Sequence, residues 1–159
     1  MQNAVKKGRK IFRGNFSGQD LRGINLSGAN FPGGDFSGCD LRNACFKKAY
    51  LARCTFKNCN LGEADFSDSY LRASVFSIST LKRLRAVDAV LAECVFEECE
   101  ISSVDFSGAD FSESVFRKNK ISGVRAFLSD FSNVNGNYLT EFKENLAGAL
   151  LPGGFDTSQ

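Results

Sequence analysis

The sequence predicts an all-β solenoid whose chain turns a corner every five residues. Every fifth position from Phe16 to Phe131 gives 24 positions, and 22 of them hold Phe, Leu or Ile. A five-residue period matches neither the 3.6 residues of an α-helical turn nor the two-residue alternation of a strand. Equivalent residues also recur every 20 residues, and every twentieth position from Phe16 to Phe116 is phenylalanine. Four five-residue sides per turn therefore close a square.

Each side places one large and one small side chain inward. Two positions before the large residue, 18 of the 24 positions hold Gly, Ala, Ser or Cys. The two exceptions in the large column are Ala86 and Ala126. They are preceded in the small column by Leu84 and Val124, so we expect an exchange of volume that keeps the interior filled.

The repeats resemble the A(D/N)LXX motif of the pentapeptide-repeat family. Residues 29–33 are Ala-Asn-Phe-Pro-Gly, residues 64–68 are Ala-Asp-Phe-Ser-Asp, and residues 109–113 are Ala-Asp-Phe-Ser-Glu. The resemblance covers about residues 14–133 and implies a right-handed quadrilateral β-helix of about six coils of 20 residues. Residues 1–13 are then a basic N-terminal arm and cap, and residues 134–159 are a C-terminal cap and tail.

The corners change composition along the chain. Early corners hold glycines such as Gly18 and Gly38, which suit the positive φ of a type II turn. Later corners hold Lys48, Arg53 or Glu98, which resist positive φ. We therefore expect type II corners early and another turn type later.

The C-terminal segment carries an apolar stripe with helical spacing, followed by Pro152. It predicts a short capping helix, although residues 149–153 echo residues 29–33 and a degenerate seventh coil is the alternative. The family resemblance implies a homodimer joined through this end. The candidate cap or dimer contacts are Phe127, Leu128, Tyr138, Phe142, Leu146 and Leu150.

The composition excludes several kinds of catalytic and metal site. Histidine is absent, and five of the six cysteines fall in inward columns, so we expect reduced thiols acting as small hydrophobic residues. Cys39 and Cys59 would lie close enough to bridge, which leaves oxidation as the alternative. The repeated glycines are corner residues with no following helix and do not form a phosphate loop. A convex rod also offers no cleft, so we expect no enzyme, no cofactor and no metal.

Residues 94–113 form an acidic belt with six acids and no base, in a chain of net charge +2. The belt is a candidate docking surface. Pairing with bases one coil away, such as Arg117 and Arg125, is the alternative explanation. The belt consists of Glu97, Glu98, Glu100, Asp105, Asp110 and Glu113.

One wall of the solenoid carries candidate partner-binding residues. Tyr50 and Tyr70 stack in outward positions, with Arg53 and Arg72 beside them and alanines that leave the surface smooth. Exposed aromatic residues flanked by arginine are typical of interaction hot spots. The alternative is that tyrosine simply suits the surface of a sheet.

These features favour a non-enzymatic scaffold that binds an unidentified protein along its outer faces. The family resemblance suggests an alternative, in which the rod imitates DNA and protects a type II topoisomerase from quinolones. The net positive charge, the single acidic coil and the absence of projecting loops all depart from that pattern. We expect no direct contact with nucleic acid, no membrane span and a cytoplasmic location, since reduced cysteines fit that compartment.

Overall fold

The structure is a computed structural model and describes residues 14–136. Within this range the chain is all-β, without a helix, and its regular strands are parallel. One sheet contains β1 (Thr55–Lys57), β2 (Val75–Ser77), β4 (Val95–Glu97) and β6 (Val115–Arg117). The other contains β3 (Thr80–Lys82), β5 (Glu100–Ser102) and β7 (Lys120–Ser122).

Every pairing joins residues 20 positions apart. Phe56 pairs with Phe76, and Leu81 pairs with Ile101. The other two sides are joined by single parallel bridges such as Cys45 to Asp65 and Tyr50 to Tyr70. Four such ladders in every 20 residues confirm the square solenoid. We number the sides by their inward large residues at 20-residue steps: side 1 contains Phe56, side 2 Leu61, side 3 Phe66 and side 4 Leu71.

The predicted columns fill the interior. Phe36, Phe56 and Phe76 are buried, and their rings stack at centroid distances of 5.1 Å and 4.9 Å. Burial of each aromatic ring contributes strongly to stability because it removes a large apolar area from water.

The exchange of volume on side 3 is also confirmed, since Leu84 and Ala86 are both buried. The cavity that they line holds about 10 Å³, close to the minimum for a single water molecule.

The Asp or Asn that precedes many large residues bonds to the backbone of the turn that follows. The Asp110 carboxylate accepts the backbone N–H of Ser112 at 2.8 Å, and the side-chain Oδ1 of Asn15 accepts that of Ser17 at 2.9 Å. Short polar side chains that bond to the backbone two residues later favour turns. The second position of the repeat is therefore explained by local hydrogen bonding.

The expectation that charged residues would not adopt positive φ at the corners is wrong. The φ angles of Lys48, Arg53 and Glu98 are 57°, 60° and 53°, in the same left-handed region as the corner glycines. Inter-turn hydrogen bonds hold the backbone in this shape whatever the side chain. One of them joins the Arg53 N–H to the Arg72 carbonyl at 2.9 Å.

Some later corners do differ, but in hydrogen bonding rather than in the sign of φ. The Cys39 N–H closes its turn on the Phe36 carbonyl at 3.1 Å. One coil later, the Cys59 N–H donates instead to Ser79 Oγ at 2.9 Å. Ser79 Oγ in turn donates to the Phe56 carbonyl at 2.9 Å. A side chain of the next turn thus bridges the opened corner.

Buried polar atoms in the small column also join successive turns. Cys54 Sγ donates to the Phe31 carbonyl at 3.1 Å, and Ser129 Oγ donates to the Phe106 carbonyl at 2.8 Å. Each donor lies 23 residues after its acceptor. The thiols are therefore weak hydrogen-bond donors as well as small apolar groups.

Replacing Leu84 with alanine tests the exchange of volume. We expect Leu84→Ala to lower the free energy of unfolding by roughly 2–5 kcal/mol, because a buried side chain leaves a cavity. The double variant Leu84→Ala/Ala86→Leu recreates the ordinary small-then-large order and should regain most of this loss in urea titrations. A double variant as unstable as the sum of the two single variants would contradict this account.

Ile78 tests the strain at the corners. It has a φ of 52° and is 52% exposed, although β-branched residues rarely adopt left-handed backbone. We expect Ile78→Gly to raise the free energy of unfolding by about 1 kcal/mol, because glycine adopts this conformation without a steric cost. Ser77→Gly, one position earlier in β2, is the control and should lower stability. A loss of stability in Ile78→Gly would show that the corner is unstrained.

Candidate protein-binding site

Tyr50 and Tyr70 lie one above the other on the outside of side 4. They pair as a parallel bridge, and their rings stack at a centroid distance of 5.0 Å and an interplanar angle of 3°. This distance is close to the ~4.8 Å spacing of neighbouring strands, so the stack follows directly from the 20-residue register. Tyr50 is 44% exposed and Tyr70 is half-buried. The structure brings the two predicted tyrosines together at the surface.

Arg72 is held beside this pair by an acid that lies one turn further along. Its Nη2 donates to the Glu93 carboxylate. Glu93, and after it the Tyr70 hydroxyl, raise the pKa of the Arg72 guanidinium above its usual value. The same contact with Arg72 lowers the pKa of Glu93. Because the pair is solvent-exposed, it orients Arg72 more than it stabilises the fold.

Arg53 differs from Arg72 because it has no ion-pair partner within residues 14–136. Its side chain is exposed at the corner that ends side 4. Its positive charge still contributes to the lowered pKa of Glu93. Arg53 therefore presents an uncompensated guanidinium next to the tyrosine pair.

These side chains enclose a groove of about 340 Å³. Ala52 and Ala73 lie low between the longer tyrosine and arginine side chains, so the surface is recessed there. The expectation of a smooth, convex wall without a cleft is wrong at this place. The volume lies near the lower end of the range for ligand-binding pockets. The lining residues are Pro32, Tyr50, Ala52, Arg53, Tyr70, Arg72, Ala73 and Glu93.

All four predicted partner-binding residues line this groove, and sequence reasoning missed Pro32 and Glu93. Glu93 occupies the same corner position as Arg53, two turns later, and Pro32 lies one turn before Ala52. Alignment of the outward positions at 20-residue steps places both residues on side 4. The 20-residue register of the repeat could therefore have identified Pro32 and Glu93.

The acidic belt surrounds the rod and does not form a stripe. Glu98 forms an ion pair with Lys118 at 3.5 Å, and Asp105 with Arg125 at 3.3 Å. These contacts support the explanation that Glu98 and Asp105 pair with bases of the next turn. The belt as a docking surface stays a prediction. Its members lie on all four sides: Glu97 and Glu98 on side 1, Glu100 on side 2, Asp105 on side 3, and Asp110 and Glu113 on side 4.

The candidate cap residues divide into two groups. Phe127 and Leu128 are 48% and 61% exposed, as their outward positions predict. Their role as a packing site for a cap or a second subunit stays a prediction. The remaining candidates lie outside the described residues, as do the segments predicted to form the N-terminal arm and the C-terminal cap. They are Tyr138, Phe142, Leu146 and Leu150.

The buried thiols do not favour thiol chemistry. All six cysteines are free, and five are buried, whereas Cys45 is partly exposed. Burial raises the pKa of Cys54 and Cys94 to about 12 and that of Cys99 to about 11. A thiol with a raised pKa forms little of the reactive thiolate at neutral pH. These cysteines therefore pack and donate to carbonyls of the preceding turn.

Within residues 14–136, no group of three or more cysteine, aspartate or glutamate side chains is arranged to hold a metal ion. Over the same residues, no helix meets the length and apolarity required to cross a bilayer.

A 20-residue square coil with inward large and small columns defines a repeat solenoid. The model of the pentapeptide repeat region matches residues 29–102 and 49–127, which together span more than half of the chain. The chain therefore belongs to the pentapeptide repeat family. No curated protein gives a significant match.

Solved structures show the same fold. A pentapeptide repeat protein from the Arabidopsis thaliana thylakoid lumen is 24% identical, with a TM-score of 0.59. That match covers 89% of this chain and 86% of the other. The pentapeptide repeat protein Rfr23 from the cyanobacterium Cyanothece 51142 is 16% identical, with a TM-score of 0.55. It covers 77% of this chain and 91% of the other.

The buried thiols predict a loss of stability at alkaline pH. Unfolded thiols lose their protons above about pH 9, whereas the folded thiol of Cys94 keeps its proton until about pH 12. The unfolded state therefore binds fewer protons in this interval, and the free energy of unfolding falls as the pH rises.

Urea titrations at pH 7 and pH 10.5 measure this effect. A variant with Cys54, Cys59, Cys94 and Cys99 replaced by serine is the comparison, because Ser74 and Ser79 already occupy these columns. We expect the difference in stability between the two pH values to be smaller in the variant. Equal differences would show that the thiols do not titrate in this way.

Proposed function

We propose that this protein is a non-enzymatic interaction module or scaffold that binds a partner protein along the outer sides of a β-helical rod. The observation that carries the proposal is the groove on side 4, with its exposed tyrosine stack and uncompensated Arg53. Tyrosine and arginine are enriched among residues that dominate binding energy. The proposal takes the rod as about six coils, closed by a C-terminal cap that joins two subunits.

The backbone under the groove is already ordered before a partner arrives. The Tyr50 N–H donates to the Ala29 carbonyl at 2.8 Å, and the Tyr70 N–H to the Ala49 carbonyl at 2.9 Å. The tyrosine side chains are further restrained by their mutual stack. Binding to such a surface costs little ordering entropy, which favours a specific contact of modest size.

Protection of a topoisomerase is the alternative function, and it stays a prediction. A protein that imitates duplex DNA needs acids arranged along one face of the rod. The six acids of the belt are spread over all four sides, and Glu98 and Asp105 are paired with bases. This arrangement does not favour DNA mimicry, so we do not propose that function.

Replacing both tyrosines tests the proposed function. We expect Tyr50→Ala/Tyr70→Ala to abolish capture of the partner from a cell lysate, because the aromatic wall of the groove is removed. The melting temperature should change little, since Tyr50 is exposed and Tyr70 is half-buried.

The matched control removes another outward pair in the same register. Asn60 and Thr80 are bridged in the same register on side 2, opposite the groove, and like the tyrosines one is exposed and the other half-buried. Asn60→Ala/Thr80→Ala should retain the partner. If the tyrosine variant also retains it, the tyrosine wall is only a sheet surface.

A further inference from the structure

The corner that ends side 4 changes charge along the rod. Equivalent positions in four successive turns hold Arg53, Ala73, Glu93 and Glu113. Arg53 and Glu113 are exposed, and neither has an ion-pair partner within residues 14–136. Glu93 is neutralised by Arg72. The corner is therefore cationic at one end and anionic at the other.

The distance between Arg53 and Glu113 determines how long a peptide must be to contact both. Three inter-turn steps separate Arg53 from Glu113, and steps of ~4.8 Å give about 14 Å. An extended peptide advances about 3.3–3.6 Å per residue, so about four residues span this distance. The Glu113 corner lies one turn beyond Glu93, the last turn that lines the groove.

The part of this span next to Arg53 is apolar, and the Glu93–Arg72 ion pair lies beyond it. Ala73 lies at the corner between Arg53 and Glu93, and Tyr50, Tyr70 and Ala52 complete this part of the groove. An apolar side chain placed here would displace water from its own surface and from the surface of the tyrosine rings, which favours binding.

We infer that this groove binds an extended peptide segment that carries an acidic and a basic side chain about four residues apart, with an apolar residue between them. The acid pairs with Arg53 and the base with Glu113. The inference rests on the proposed function and names the chemistry of the partner.

The observations favour a peptide over single-stranded nucleic acid. A phosphate backbone needs several cations along its path. The groove offers one free guanidinium, and its far end carries Glu93, followed by Asp110 and Glu113. The tyrosine rings already cover each other at 3°, so no base inserts between them.

Selection from a displayed library of random twelve-residue peptides tests the inference. The baits are the immobilised full chain and its Arg53→Glu and Glu113→Lys variants, with melting temperatures confirming that each variant folds. The unaltered protein should enrich peptides with an acid and a base about four residues apart, in either chain direction. Arg53→Glu should enrich peptides with two bases, and Glu113→Lys should enrich peptides with two acids.

A direct titration measures how much each variant weakens the binding of a selected peptide. The most enriched peptide, labelled with fluorescein, should bind Arg53→Glu about tenfold more weakly than the unaltered protein in anisotropy measurements, because attraction becomes repulsion. Tyr50→Ala/Tyr70→Ala should also weaken its binding, since the apolar contact is removed.

Several outcomes would overturn the inference. The first is that all three baits enrich peptides with the same charges. The second is that the unaltered protein enriches no peptide. The third is that the unaltered protein binds fluorescein-labelled (dT)20 but no peptide. If the three baits select the same peptides and immobilised Tyr50→Ala/Tyr70→Ala, used as a fourth bait, selects none, the charge pattern is wrong and the proposed function stands. Partner capture by the tyrosine variant would contradict the proposed function independently.

Discussion

Backbone hydrogen bonds between successive turns determine which side chains of residues 14–136 point inward and which point outward. The Phe36 N–H donates to the Thr55 carbonyl at 2.9 Å, and the Thr55 N–H returns to the Gly34 carbonyl at 3.0 Å. The same pattern recurs on all four sides with a 20-residue offset. Because a shift of one residue would turn the large column outward, burial of that column keeps the register uniform. The surface inherits this regularity.

The groove on side 4 is a product of the same register. Tyr50 and Tyr70 stack because their backbones are adjacent, and Arg53 and Glu93 share a corner for the same reason. No inserted loop is needed to gather these residues. Two alanines, Ala52 and Ala73, lie between longer side chains in the groove. In this fold, small outward residues are therefore as informative as large ones.

Much of the fold could be predicted because one period determines it. The burial of Phe56, Leu84 and Ala86 follows from position alone, and so does the stacking of Tyr50 on Tyr70. The corner geometry could not be predicted from residue preferences. At Arg53, inter-turn hydrogen bonds override the local cost of positive φ, which is about 1 kcal/mol.

The sequence predicted four residues that line the groove on side 4, but it predicted neither Pro32 and Glu93 nor the shape of the groove. The two tyrosines and two arginines follow from their outward positions. The depth of the groove depends on the difference in height between Ala52 and its neighbours, and the partner of Arg72 depends on the rotamer of Glu93. Side-chain conformations are not contained in a five-residue period.

Residues at the corners can vary in chemistry without a change in the backbone conformation of the coil. Lysine, arginine, glutamate, aspartate, isoleucine and leucine all occupy corner positions with φ between 52° and 61°. Since the backbone accepts each of these residues in one conformation, mutational drift at a corner alters what the rod displays while its interior stays intact. A lineage of such proteins can therefore change the chemistry of its surface by exchanging single exposed residues, without rebuilding the coils that present them.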